Sequence, residues 1–499
     1  MTAKYNYLDN HYLDNHSVTH MRFYDRENEL ALLETLDAHR PSFLVLMGRR
    51  RVGKTELVRR FLEGRRSVYL YVDGRKGRDV LLAEHASLVR TRLGLPDVVS
   101  FPTYRHLFEY LLRDAGDVVV AVDEFQRLEG VDPSIITELQ DLLDTVRDGS
   151  RALLIASGSS MGMMHKVFLD QGAPLFKRAD NMVTLRPFKM GTTFEMMRDI
   201  GVGDEMDRLD LHCLFGGMVH YYRAVEKFGV QDLDSALGRL VLSDLAPLRN
   251  EVRDVLVEGF GHEHATYFEV LSALASGRSR QSDIADATHV EPSSLPHYLG
   301  GLRDVLGLVE LQAPVMEDPT RTKKGRYVLR DNYFSFYFRF IYPNSSLYEV
   351  GAYDELRRLI DAGWGGHMGV AFERDAVAAM RPWLLTEFRS VGGHWDRKGN
   401  EVDLVGIDPR SRSMLLVEVK AKRLDLGEAR RTLRALEGKK SVVPYEARDV
   451  SLGLVCVAVE GRDELEGEGH RVWELGDLLE RRGVRGSGGG SRSGGGRGR

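Results

Sequence analysis

The sequence predicts an α/β protein: a parallel sheet with a phosphate-binding loop, then a helical lid, a winged helix-turn-helix and a C-terminal α/β domain. Three observations carry that prediction. Short apolar runs alternate with amphipathic stretches from Pro41 to Pro187, the order that buries a parallel sheet under helices on both faces. Gly48-Arg49-Arg50-Arg51-Val52-Gly53-Lys54-Thr55 fits GxxxxGK[ST] between an apolar strand and a helix. A second set of strands follows residue 400 and includes the acidic and basic run Glu418-Val419-Lys420.

Length and composition agree with this. A chain of 499 residues implies about three domains. Its 43% hydrophobic and 29% charged residues are those of a globular protein. With 69 basic against 74 acidic residues, a net of −5, it is no general coat for nucleic acid. The Gly/Arg tail holds four arginines and no acids, so the remainder stands at −9. Cys213 and Cys456 stand alone, without a CxxC or Cys/His pair, which argues against a zinc site or a disulfide framework. No apolar run approaches a membrane span, and the first residues lack the apolar centre of a signal peptide. The expectation is a cytoplasmic protein with no membrane partner.

The elements follow in order. Residues 1–20 carry two copies of Tyr-Leu-Asp-Asn-His and read as a disordered extension, although His11, His16 and His20 offer metal ligands. Helical periodicity starts at Glu27, and residues 21–189 form the expected ATPase core. Its strands are Ser42–Met47, Ser67–Val72, Asp117–Val122, Ala152–Ala156 and Met182–Leu185. Residues 190–261 form a helical, polar-faced lid. Residues 262–345 give three helices, Tyr267–Ser276, Arg280–Ala287 and Ser293–Leu306. The apolar runs Gly307–Gln312 and Arg326–Leu329 follow, and this is the order of a winged helix. Residues 346–364 read as a linker. Residues 365–482 begin with a helix near Val370–Met380 and continue with strands Glu401–Ile407, Met414–Lys420 and Leu452–Val459. Residues 483–499 are a Gly/Arg/Ser tail too simple to build a core.

The first candidate site is the loop itself. Gly48 and Gly53 let backbone amides curl round phosphate oxygens, and the helix N-terminus adds its dipole. Arg49, Arg50, Arg51, Val52 and Glu56 complete the nucleotide-binding segment. Lys54 is expected to reach the β- and γ-phosphates, and Thr55 to bind Mg²⁺. Val118–Val122 ends in Asp123 and Glu124. Asp123 suits a place around Mg²⁺, and Glu124 suits polarising the attacking water. Ser157, at the end of another strand, is a candidate γ-phosphate sensor, with Ser159 as its rival and a plain strand-to-turn transition as the bland alternative. Arg178 is a candidate for transition-state charge, in cis or from a neighbouring subunit, with a surface arginine as the alternative.

FYDRENEL, GRRRVGKTELV, VVVAVDEFQ, LIASGSSMGMM, PLFKR and GGMVHYY together resemble the archaeal ATPase family, a branch of the AAA+/STAND-like P-loop ATPases. The resemblance spans about residues 21–480. It implies a P-loop NTPase fold with ATP and Mg²⁺ as cofactors, and it places Phe23 and Arg26 near the adenine. It also implies a lid, a winged helix and a nuclease-like domain. Gly216-Gly217 stands where the family usually has a proline, which leaves any lid-borne sensor unassigned.

The winged segment is a mixed case. Across 262–330 there are eight Lys/Arg and nine Asp/Glu, and DNA affinity depends on positive charge. Its third helix offers His297 and Arg303 alone. The hairpin tip, Arg321-Thr322-Lys323-Lys324-Gly325-Arg326, is the better grip on a phosphate backbone, and intramolecular packing is the equal alternative. Tyr333–Phe340 reads as a buried aromatic helix.

In the last domain, residues i and i+2 of a strand share a face, so Glu418 and Lys420 point the same way. A hairpin brings Asp403 beside them. Two carboxylates suit a divalent metal, and the lysine suits orienting water or stabilising phosphate charge. The pattern D-x(14)-E-x-K resembles the PD-(D/E)xK signature of a restriction-endonuclease-like domain, with Val402 in place of the proline. That resemblance adds Glu373 as a further metal ligand. The expected activity is ATP hydrolysis coupled to a DNA-directed nuclease and compatible with a homo-oligomer. The alternative is a STAND-like regulatory switch whose last domain only binds.

Overall fold

In the computed structural model, the described residues run from 22 to 480, apart from 147, 148, 262, 263, 320 and 397. The expected N-terminal extension, with His11, His16 and His20, and the Gly/Arg/Ser tail lie outside them. Twelve strands form three sheets among the described residues.

The first sheet holds β1 (Ser42–Met47), β2 (Ser67–Tyr71), β3 (Val118–Asp123), β4 (Ala152–Gly158) and β5 (Asn181–Thr184). All its pairings are parallel and the order is β2-β3-β4-β1-β5. β1, β3 and β4 are buried along their whole length, which is why they read as unbroken apolar runs rather than alternating ones. Inserting β4 between β1 and β3 sets the site. Met47 pairs with Gly158, and Ser157 pairs with Asp123. The carboxyl ends of three strands therefore meet beside the helix Lys54–Leu62, where open α/β sheets bind ligands.

The segment expected as the lid holds helices Met190–Asp199, Glu205–Phe215, Val219–Lys227, Leu233–Ala236 continuing as Leu237–Val241, and Glu251–Phe260. Three helices follow: His264–Ala275, Gln281–Ala287, and Leu295–Gly300, which continues as Gly301–Val305. They lead into the antiparallel hairpin β6 (Val309–Gln312) and β7 (Arg326–Leu329). The third sheet has the order β12-β11-β10-β9-β8. Its strands are β8 (Ser390–Trp395), β9 (Glu401–Asp408), β10 (Ser413–Leu424), β11 (Asp449–Val459) and β12 (Arg471–Glu474). β8, β9 and β10 pair antiparallel, whereas β10, β11 and β12 pair parallel.

The expected linker 346–364 is corrected. It lies in the helices Ser345–Glu349 and Tyr353–Leu384. The second is 32 residues long and swallows the helix expected near Val370–Met380. Leu356, Ile360, Trp364, Ala371, Phe372, Ala376, Met380 and Leu384 form its buried stripe, at helical spacing. Its glycines disguise it, since each costs a helix about 1 kcal/mol against alanine. Gly363 is there for packing: a Cβ would stand 2.6 Å from the Phe340 ring. Phe340 belongs to the aromatic stretch, whose Tyr333, Phe334, Phe336 and Phe338 are buried with it. Among the described residues no helix is long and apolar enough to cross a membrane.

The same helix is tied to the lid by polar groups. His367 Nε2 donates to the Cys213 carbonyl at 3.0 Å. Burial, then nearby Arg339 and Arg374, lower its pKa to about 4, against the pull of that carbonyl. The unfolded ring titrates near 6.5. Its contribution is thus complete above about pH 6.5 and is lost as pH falls towards 4. Chemical denaturation should show about 2 kcal/mol less stability at pH 5 than at pH 7 from this group. His367→Gln should show a smaller loss. Equal pH slopes in the two proteins would remove His367 from the account.

Candidate functional sites

At the carboxyl end of β1 the loop turns sharply. A Cβ on Gly48 would stand 2.7 Å from the Leu185 carbonyl, and Gly53 has φ +104°. Lys54 is buried, and its Nζ donates to the carbonyls of Gly48 (2.7 Å) and Arg49 (3.0 Å). Burial lowers its pKa, opposed by Glu124 and Asp123. Val52 is buried beneath the loop. Thr55 Oγ1 donates to Asp123 Oδ2 at 2.9 Å, so the hydroxyl and carboxylate proposed for a Mg²⁺ stand side by side. Both are hard oxygen donors, so the pair fits such an ion.

The same Asp123 oxygen accepts from Tyr69 Oη at 2.5 Å. Burial and the Asp123 charge push the phenol far above its usual range, so it remains a donor. Motif reading missed Tyr69. Glu124 has φ +56° and so leaves the line of β3. Its Oε2 accepts from Gln126 Nε2 (2.6 Å) and Ser159 Oγ (2.9 Å). Ser159, the rival, thus holds the expected base. Ser157 is buried beside Asp123, and its hydroxyl has no hydrogen-bond partner among the described residues.

The three loop arginines do not stand open around a phosphate. Arg49 pairs with Asp331 (2.6 Å), while Arg50 reaches Glu258 and Arg51 reaches Glu251. Glu258 also lies 3.4 Å from Arg127, which approaches Glu124 at 3.5 Å. Glu56 pairs with lid residue Arg223 at 3.2 Å. All three acids facing the loop arginines lie C-terminal of the sheet, separated from it in sequence by the first lid helices. The lid glycines are there for close contact. Phe188 N donates to Gly217 O at 2.8 Å, and a Cβ on Gly217 would fall 2.0 Å from Phe188 O. Beside that joint, Arg26 lies over the Phe188 ring (4.2 Å) and donates to Arg186 O at 2.8 Å. Phe23 is partly buried on the same core.

Arg178 is corrected as a cis catalytic residue. It pairs with Asp144 at 2.8 Å and lines an apolar cavity with Pro41, Ser42 and Ala152. Those residues begin β1 and β4, whereas the phosphate loop follows the ends of those strands. At about 3.3 Å per residue, the strands place it roughly 20 Å away.

The third sheet brings the remaining predicted residues together. β9 and β10 pair through Leu404 and Val417, so the next residues, Asp403 and Glu418, stand opposite. Asp403 Oδ2 accepts from Val419 N at 2.8 Å. Lys420 Nζ lies 2.7 Å from Glu418 Oε1. Lys439, another residue motif reading missed, lies 2.9 Å from Oε2. Glu373 faces the group from the long helix. Burial, then Asp403, Glu401 and Glu418, push its pKa up to about 8. Burial and Glu418 likewise raise Asp403, to about 6. Glu418 sits below its usual range because the two lysines outweigh its burial. Among the described residues no three His, Cys, Asp or Glu side chains form a ready metal shell; here each Glu418 oxygen is engaged by a lysine. Three carboxylates on one buried patch remain a hard donor set.

The hairpin tip is divided. Lys324 pairs with Glu317 at 2.6 Å. Arg326 lies 4.5 Å over Trp395 and 3.1 Å from Glu401. Trp395 Nε1 donates to Lys324 O at 2.8 Å. Arg321 and Lys323 stay exposed. In the third helix Arg303 pairs with Asp304, and Val305 packs against Gly162 of the ATPase core.

Residues 23–220 match the model of an ATPase domain predominantly from Archaea. Residues 337–432 match a model of archaeal and bacterial proteins of unknown function. An uncharacterized protein of Methanocaldococcus jannaschii is 29% identical over 448 residues, 88% of this chain and 97% of that protein. A Walker-type ATPase of Pyrococcus abyssi shares the fold, with a TM-score of 0.51 and 21% identity over 64% of this chain and 96% of that one. The ORC2 protein of Aeropyrum pernix, in its ADPNP–ADP complexes, superposes at 0.42 with 17% identity over 64% and 93%.

Tyr69→Phe should raise the Mg²⁺ concentration needed for half-maximal ATP hydrolysis several-fold, because Asp123 loses an orienting hydroxyl. Nucleotide affinity measured in EDTA should not move. An unchanged Mg²⁺ titration would show that the contact does not position Asp123.

Proposed function

We propose that this chain, a P-loop ATPase of the archaeal ATPase family across residues 23–220, couples ATP binding and hydrolysis to a metal-dependent nuclease site acting on DNA. The observation that carries the second half is the meeting of Glu373, Asp403, Glu418 and Lys420 from one helix and two strands, with Glu373 and Asp403 raised by burial and mutual repulsion. Perturbed carboxylates gathered beside a lysine mark a candidate functional site, and their oxygens suit a divalent metal.

In the ATP site, Lys54 turns from the loop carbonyls to the β- and γ-phosphates. Thr55 and Asp123 would hold Mg²⁺, which would neutralise charge on the phosphates, and Glu124 would orient the attacking water. Ser159 and Gln126 keep Glu124 aimed away from the strand axis, while Ser157 offers its hydroxyl to the γ-phosphate side. In the nuclease site, Glu373, Asp403 and Glu418 would hold Mg²⁺ or Mn²⁺. When bound, that ion supplies a Lewis acid and an activated water. Lys420, released from Glu418, stabilises charge developing on the phosphate, and Lys439 keeps Glu418 ionised. DNA approaches the C-terminal domain, with Arg321 and Lys323 as the exposed remainder of the hairpin grip. The hairpin's own packing on Trp395 favours a second reading, a regulatory switch whose last domain only binds.

Lys54→Ala should abolish nucleotide binding, and Glu124→Gln should bind ATP but hydrolyse it at least about 100-fold more slowly. Unchanged turnover in both would sink the ATPase assignment to these residues. Incubation with single-stranded, duplex and branched DNA, in Mg²⁺ or Mn²⁺ with and without ATP, tests the nuclease. Asp403→Ala and Lys420→Ala should abolish cleavage and leave ATP hydrolysis intact. If the wild type cuts nothing under any of these conditions, the regulatory reading replaces the nuclease.

A further inference from the structure

The P-loop and the C-terminal carboxylates are linked by a run of largely buried polar contacts, bridged at two points by the chain itself, Asp331–Asn332 and Glu373–Arg374. It starts at Arg49, which pairs with Asp331 with only 11% and 3% of the two side chains exposed. The other Asp331 oxygen accepts from Phe334 N at 2.9 Å and caps the helix Asn332–Phe336. The next residue, Asn332, uses both ends of its amide. Nδ2 donates to His212 O at 2.8 Å, and Oδ1 accepts from Arg374 Nη2. Arg374 also grips Asp375 at 3.0 and 3.1 Å. Asp375 in turn meets His212 Nε2 at 3.0 Å. Arg374 is the neighbour of Glu373. Successive helical residues point about 100° apart, so one turn presents Glu373 to the sheet and Arg374 with Asp375 to the lid.

Arg49 sits one residue after Gly48 in the loop that must receive phosphates. A nucleotide polyphosphate carries several negative charges against the single one of Asp331. Guanidinium binds phosphate and carboxylate in the same forked geometry, so the two compete for one side chain. We propose that Arg49 is a two-position switch. It pairs with Asp331 or with the nucleotide, and its transfer to the nucleotide loosens Asn332 and Arg374 and so resets the helix that carries Glu373. That the nuclease-like site is what it regulates rests on the function proposed above; the coupling from loop to helix does not. Because binding linkage is reciprocal, whatever locks the helix also weakens nucleotide binding.

Asp331→Asn removes the competing charge and keeps a cap for the Phe334 amide. By calorimetry on the full-length protein, it should bind ADP on the order of tenfold more tightly than wild type, within the usual range of coupling between sites. In an Arg49→Ala background the same change should add nothing. Unchanged or weaker ADP binding by Asp331→Asn, in a protein of wild-type melting behaviour, overturns the switch. Amide exchange over residues 366–380 reads the other end. It should rise in wild type when a non-hydrolysable ATP analogue binds, and should not respond in Asn332→Ala, which still binds the analogue. No response in wild type overturns the relay. Neither readout involves cleavage, so a protein that cuts no DNA would sink the nuclease reading and leave this coupling standing.

Discussion

Three consecutive guanidiniums in one tight loop are the constraint around which the C-terminal half is arranged. Like charges about 5 Å apart repel by roughly 3 kcal/mol at an effective dielectric near 20. Arg49 and Arg51 are also packed against protein, while Arg50 stays exposed. Acids must therefore be brought to it, and here they come from outside the sheet: Glu251 and Glu258 from one lid helix, and Asp331 from the cap of the aromatic one. The lid and the aromatic helix are thus seated against the nucleotide loop by electrostatics as well as by the apolar core beneath them.

The helix Tyr353–Leu384 turns that seating into a connection. Its lid-facing side carries His367, Arg374 and Asp375. Its sheet-facing side brings Glu373 to Asp403 and Glu418. One helix therefore packs polar groups on two faces, with its apolar stripe buried between them. Glycine makes the fit possible, since only a side chain without a Cβ lets the Phe340 ring lie against Gly363.

What was legible in the sequence was local. Within Gly48–Thr55, Asp123-Glu124 and Glu418–Lys420 the residues lie close together in sequence, so their grouping follows from strand and helix geometry alone. What was not legible was partner choice across the fold. Asp331 stands 282 residues from Arg49, and Lys439 stands 21 from Glu418; no periodicity links them. β8 was hidden by Gly392 and Gly393, which weaken a strand pattern. The long helix was hidden by glycines that read as a linker. Arg178 stands away from the loop of its own chain for a topological reason. A residue just before a parallel strand sits at the edge opposite a loop that follows one.

The hairpin β6–β7 shows that the segments read along the chain are not its units of packing. Val315, in the connection after β6, donates to Gly393 O at 2.8 Å and is buried in the core of the third sheet with Val402 and Leu416. Trp395 returns the contact to the hairpin. A recombination event that cut the gene anywhere between residues 316 and 390 would split one hydrophobic core between two products. The hairpin and the third sheet therefore form one packing unit, although some 60 residues separate them in sequence.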